Sequence, residues 1–128
     1  MKPDASPELE PIVYIVDDDA AVRKALMRLM ASAKLKARSF ASAIEFLDSG
    51  FRDQHACLIA DVKMPGLTGI ELQQKIIDQG YDLPVIFITG YDTEQTREQA
   101  KRLGAQGYFS KPIDDQALLD TISLALSR

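Results

Sequence analysis

Apolar residues gather along this chain in short unbroken runs, separated by longer stretches in which they recur every three or four positions. Ile12 to Val16, Cys57 to Ala60 and Val85 to Ile88 are continuous runs rich in β-branched residues, the pattern of strands covered on both faces. Lys36 to Phe40 is short and half charged, which suits an edge strand, and Tyr108 to Ser110 makes a fifth strand stopped by Lys111 and Pro112. From Ala20, the residues Val22, Ala25, Leu26, Leu29 and Met30 repeat at helical spacing, with Arg23, Lys24 and Arg28 on the other side. Ser42 with Glu45, and Thr68 with Glu71, have capping-box spacing and open two further helices. The second of these carries Ile70, Leu72, Ile76 and Ile77 and closes at Gly80, where a left-handed residue is favoured. A helix over Asp92 to Leu103 has only Ala100 and Leu103 as clear anchors and is expected to be loosely held. Leu118, Leu119, Ile122, Ala125 and Leu126 mark the last helix.

Strict alternation of strand and helix with short connections demands parallel strands and right-handed crossovers, so helices cover both faces of one doubly wound α/β sheet. At 128 residues one domain is expected. Residues 1–10 lack periodicity and read as a disordered leader, leaving 11–128 as the folded unit. The net charge of -4 argues against a broad footprint on nucleic acid or anionic membrane, since both need clustered Lys and Arg. No stretch is long and apolar enough for a bilayer span, and the single cysteine, Cys57, lies inside an apolar run. Direct nucleic-acid binding by this segment, membrane insertion and a disulfide framework are therefore not expected, and a reducing, cytoplasmic setting is.

In doubly wound sheets the chemistry lies beyond the carboxyl ends of the strands. There the sequence places Asp17, Asp18 and Asp19, then Asp61, Thr89 and Lys111. If the first and third strands are neighbours their carboxylates converge, and like charges about 4 Å apart repel by roughly 4 kcal/mol at an effective dielectric near 20. Such a cluster wants a hard cation, and Mg²⁺ commonly shares its shell with water and phosphate oxygens. Lys111 and the Thr89 hydroxyl could then hold phosphoryl oxygens while a carboxylate acts as the in-line nucleophile. Blander roles exist for each. Asp19 alone satisfies a helix N-cap, Thr89 could cap a strand, Lys111 could be a turn lysine, and Tyr108 could be plain core. Three consecutive acids exceed what capping needs. His55, the sole histidine, reads as an exposed loop residue.

Val16-Asp17-Asp18-Asp19, Asp61-Val62-Lys63-Met64-Pro65-Gly66, Ile88-Thr89-Gly90 and Lys111-Pro112 together resemble the receiver domains of two-component response regulators, from about Ile12 onward. Within that family the chain is most similar to the FixJ-type transcriptional regulators. The resemblance implies a flavodoxin-like, CheY-like sheet of order 2-1-3-4-5. It implies phosphorylation of Asp61 by a sensor histidine kinase, with Mg²⁺ bound by Asp18 directly, by Asp17 through water, by Asp61 and by the Lys63 backbone carbonyl. Thr89 and Lys111 would hold the phosphoryl group, Pro112 would follow a cis peptide, and Gly90 would complete the threonine motif. Tyr108 would be the rotating aromatic of the switch, and Lys63 and Tyr91 would tune the phosphoryl lifetime. Output would pass through the face built by the fourth helix, fifth strand and fifth helix, promoting a homodimer and controlling a transcriptional, DNA-binding domain outside this chain. On this reading the chain is no turnover enzyme but catalyses its own phosphorylation and dephosphorylation.

The rival is a haloacid-dehalogenase-type phosphatase, because Asp17-Asp18-Asp19 also offers Asp-x-Asp spacing with Asp17 as nucleophile. That reading leaves Asp61 idle and lacks a later acidic metal motif, since Asp114 and Asp115 look like the cap of the last helix.

Overall fold

Unbroken apolar runs are buried whole here because alternate side chains enter two different cores. The computed structural model describes residues 9–127, so the first eight residues of the expected leader lie outside the described residues. The strands are β1 (Ile12–Val16), β2 (Lys36–Phe40), β3 (Ala56–Asp61), β4 (Val85–Thr89) and β5 (Gly107–Ser110). The helices are α1 (Ala20–Ser32), α2 (Ala43–Leu47), α3 (Gly69–Asp78), α4 (Glu94–Arg102) and α5 (Asp115–Leu126). All strand pairs are parallel in the order β2-β1-β3-β4-β5, the expected topology.

Tyr14, Val16, Leu58, Ala60, Val85 and Phe87 face one core with Phe46 of α2, Leu72 and Ile76 of α3 and Ala100 of α4. Val13, Ile15, Cys57, Ile59, Ile86 and Ile88 face the other with Leu26 and Met30 of α1 and Leu118, Ile122 and Ala125 of α5. Each fully buried Leu, Ile or Phe contributes roughly 1.5–3 kcal/mol relative to exposure. Burial also pushes the Cys57 thiol up to about 12, so it behaves as a small hydrophobe without thiolate character.

The helix ends follow the local chemistry. Thr68 and Glu71 close a reciprocal capping box on α3, whereas at α2 the Ser42 hydroxyl caps the helix by accepting from the Glu45 amide. Gly80, at φ +86°, ends α3 with paired bonds from its own amide to Ile77 and from Tyr81 to Ile76, the Schellman arrangement. Two expectations are corrected. Ala25 is exposed, so the buried stripe of α1 narrows to Leu26 and Met30. Helix α4 begins at Glu94, not Asp92, because the Thr93 hydroxyl accepts from the Thr96 amide and acts as the cap. Its buried side chains are Thr96 and Ala100, while Leu103 is the C-cap and only half-buried. The buried Gln73 of α3 donates its amide to the Leu103 carbonyl, a further hold on that end of the helix.

Candidate functional site

Because β1 and β3 are adjacent and in register, with Val16 beside Ala60, the residues just past them come together at the carboxyl rim. Oxygens of Asp17, Asp18 and Asp61 all lie within 4.8 Å of one another. Asp17 is fully buried; its Oδ1 accepts from the Asp19 amide at 2.8 Å and its Oδ2 from Lys111 Nζ at 3.1 Å. Lys111 also stands 3.7 Å from Asp61 Oδ1. Asp18 is exposed, which leaves the cluster open to solvent on one side. Asp19 accepts from the Ala21 amide and caps α1, the bland role expected of it.

Burial pushes the Asp61 carboxyl up to about 7, Asp17 pushes in the same direction, and Lys111 and a backbone hydrogen bond from Lys63 pull it partly back. One lysine thus fails to balance three acids. A cluster of hard oxygens with an open side, short of positive charge, fits a divalent metal ion.

The remaining predicted residues fall into two groups. Gly90 lies beside Lys111, where an added Cβ would make only an ordinary 3.8 Å contact with the lysine stem. The Lys111–Pro112 peptide is cis. Thr89 is fully buried at the end of β4, but its hydroxyl is turned to its own loop: it accepts from the Tyr91 amide at 3.0 Å and donates to the Tyr91 carbonyl at 3.1 Å. Tyr91 itself is 62% exposed, with Lys63 Nζ 4.9 Å from its ring centroid. Tyr108 is half-buried on β5 and donates its hydroxyl to Asp92 Oδ1 at 3.0 Å. His55 is an exposed loop residue at φ +48°, as its surroundings predicted.

Three contributors escaped the sequence reading. Arg23, expected on the solvent side of α1, donates to the Asp17 carbonyl at 2.6 Å and ties the helix to the rim. Asp92 accepts from both Tyr108 and Arg97. Gly69, the first residue of α3, packs so closely on β3 that a Cβ there would lie 2.3 Å from the Asp61 carbonyl oxygen. Only Gly69 had a visible signal, a glycine just after a capping threonine where most residues would serve.

Comparison with known proteins adds to the geometry. The profile described as "Response regulator receiver domain" matches residues 13–123. Transcriptional regulatory protein TdiR of Thauera aromatica is 40% identical over 115 residues, which is 90% of this chain and 51% of that protein. Transcriptional regulatory protein FixJ of Azorhizobium caulinodans is 37% identical over 122 residues, 95% of this chain and 57% of that one. The chain thus spans about half the length of these relatives. Among solved structures, response regulator StyR superposes with a TM-score of 0.86 at 38% identity, covering 93% of this chain and 60% of that one. The crystal structure of FixJ-N gives a TM-score of 0.84 at 28% identity, covering 94% of this chain and 97% of that one. Among the described residues no helix is long and apolar enough to cross a membrane. With fold, rim chemistry and nearly the whole sequence in agreement, the chain belongs to the receiver domains of two-component response regulators.

Proposed function

We propose that this receiver accepts a phosphoryl group on Asp61 from the phosphohistidine of a sensor histidine kinase, or from a small acyl phosphate, in the presence of Mg²⁺. The observation that carries the reading is the position of the Asp61 carboxylate, at the rim beside Lys111 and within reach of Asp17 and Asp18. The metal, when bound, offsets the pooled negative charge and takes up phosphoryl oxygens. Asp17, Asp18, Asp61 and the Lys63 carbonyl are the groups that would hold it.

The carboxylate oxygen of Asp61 attacks phosphorus in line. A P–O bond to Asp61 forms, and the P–N bond to the donor histidine, or the P–O bond of an acyl phosphate, breaks with its electron pair leaving on the donor. Lys111 holds its ammonium between Asp17 and Asp61, where it can follow charge onto an equatorial oxygen. Asp17 is a poor acceptor by comparison, because both its oxygens are engaged and it has no exposure. This favours a receiver over a phosphatase with Asp17 as nucleophile. Uptake of label from acetyl phosphate, dependent on Mg²⁺ and abolished by chelator, is the test; a chain that stays unlabelled overturns the reading.

Lys63 and Tyr91 follow Asp61 and Thr89 by two residues each, and the Lys63 ammonium lies 4.9 Å from the centre of the Tyr91 ring. The exposed Tyr91 ring restricts the approach of hydrolytic water, so Tyr91→Ala should lose its phosphoryl group severalfold faster than wild type. A first-order decay of the isolated phosphoprotein reads this directly, and an unchanged rate rejects it.

Output passes through the face formed by α4, β5 and α5. Glu94, Arg97, Lys101 and Arg102 of α4 give it a mixed charge suited to a second copy of the chain. Sedimentation with beryllofluoride and Mg²⁺ should show a dimer, and a monomer at high concentration would remove this proposal. The relatives TdiR and FixJ are named as transcriptional regulators, and a transcriptional output is the corresponding role here.

A further inference from the structure

The loop from Gly90 to Thr93 joins the buried threonine of the site to helix α4, and it is fastened at both of its inner residues. Tyr91 is held through its backbone by the Thr89 hydroxyl, which is thereby kept from any phosphoryl group. Asp92 is held through its side chain, and a single oxygen, Oδ1, accepts from Arg97 Nε of α4 at 2.9 Å and from the Tyr108 hydroxyl of β5 at 3.0 Å. One side chain therefore ties loop, helix and strand together, at the start of a helix with only two buried residues of its own.

We propose that Asp92 is an inhibitory latch: its carboxylate fixes Tyr108 and the first turns of α4 in the arrangement that leaves the Thr89 hydroxyl bonded to its own loop. The inference rests on the reading of Asp61 as phosphoacceptor and goes beyond it, because Asp92 touches neither metal cluster nor acceptor. For Thr89 to turn toward a phosphoryl group the Tyr91 amide must be released, and the loop cannot swing while its next residue is pinned to two elements. The C-terminal end of α4 stays fixed by the bond from Gln73 to the Leu103 carbonyl, so releasing Asp92 frees the helix at one end only. The hydrogen bond from Arg97 holds the Asp92 carboxyl below its usual range, so the latch stays ionised at neutral pH.

Asp92 acts through Thr89 and Tyr108 as a positioning residue, and its removal should raise, not lower, the rate of chemistry. Asp92→Ala should take up phosphoryl groups from acetyl phosphate with Mg²⁺ about five- to tenfold faster than wild type, the shift expected when one charge-assisted hydrogen bond no longer biases a two-state equilibrium. Tyr108→Phe breaks the same bond from the other side and should give a rise of the same kind. The double variant should be no faster than the faster single one, and Asp92→Glu should return toward wild type. A merely structural Asp92 would instead lower the melting temperature and slow uptake. If wild type is labelled and neither variant is faster, the latch alone is overturned. If wild type takes no label, the latch falls together with the reading it rests on. Should Asp92→Ala fail to fold, Tyr108→Phe decides the question.

Discussion

Asp61→Asn should take up no phosphoryl group from acetyl phosphate or a kinase, a loss of at least about 10³-fold, because the amide supplies no anionic oxygen to attack phosphorus. The substitution keeps size and shape, so the rim should stay as it is, with Lys111 still bonded to Asp17. The same variant should also separate metal from proton. In the wild-type chain without metal, Asp61 holds its proton up to about pH 7, whereas an unfolded aspartate loses it near 3.8. Between those values the folded state binds more protons than the unfolded one, so folding stability falls as pH rises and levels off above about 7.

Asn carries no such penalty. Without metal, Asp61→Asn should therefore be more stable than wild type at pH 8, by about 1–2 kcal/mol once the open, hydrated rim is discounted, and the gap should close toward pH 4. Mg²⁺ should reverse the order at pH 8, since it binds the folded wild type and stabilises it by mass action. Melting curves at the two pH values, with Mg²⁺ and with chelator, give four comparisons. A wild type that is more stable than the variant in chelator at pH 8 would contradict the electrostatic account of the cluster.

The sheet was legible because continuous apolar runs have one economical solution, burial on both faces, and the three such runs stop at Asp17, Asp61 and Thr89, polar residues that the strand order brings to one rim. What remained hidden depends on contacts between distant segments. By type Asp92 is a better cap than Thr93, but its carboxylate is taken by Arg97 and Tyr108 and Thr93 caps the helix instead, so the start of α4 was set too early. Arg23 looked solvent-facing because helical spacing cannot show that its guanidinium folds back on the Asp17 carbonyl. The Thr89 hydroxyl, expected to face a phosphoryl group, is bonded to the backbone of Tyr91 instead. Gln73 is buried on an otherwise apolar face, for the sake of one carbonyl at the end of α4.

Gly69 is the clearest instance, and Gly69→Ala should be the most damaging single-methyl change in the chain. Its backbone needs no left-handed conformation, so the usual reason for glycine is absent. The reason is closeness: a Cβ would lie 2.3 Å from the Asp61 carbonyl oxygen, 3.0 Å from its carbonyl carbon and 3.2 Å from the Val62 Cα. All three atoms are backbone, and the Gly69 amide donates to the Val62 carbonyl at 3.0 Å, so neither side can rotate away. Either α3 retreats, loosening Leu72 and Ile76 in the core, or the end of β3 shifts and carries the acceptor with it. Overpacking of this kind costs about 2–3 kcal/mol, which for a chain of this size lowers the melting temperature by roughly 8–12 °C. Gly107→Ala is the matched control, because its nearest clash, at 2.9 Å, is the Thr121 methyl, the end of a side chain that can yield. Phosphoryl uptake should fall in Gly69→Ala even at temperatures where it is fully folded, and stay near wild type in Gly107→Ala. Equal melting temperatures for the two variants would show that the strand end relaxes freely, and the rigid placement of Asp61 argued from this contact would be wrong.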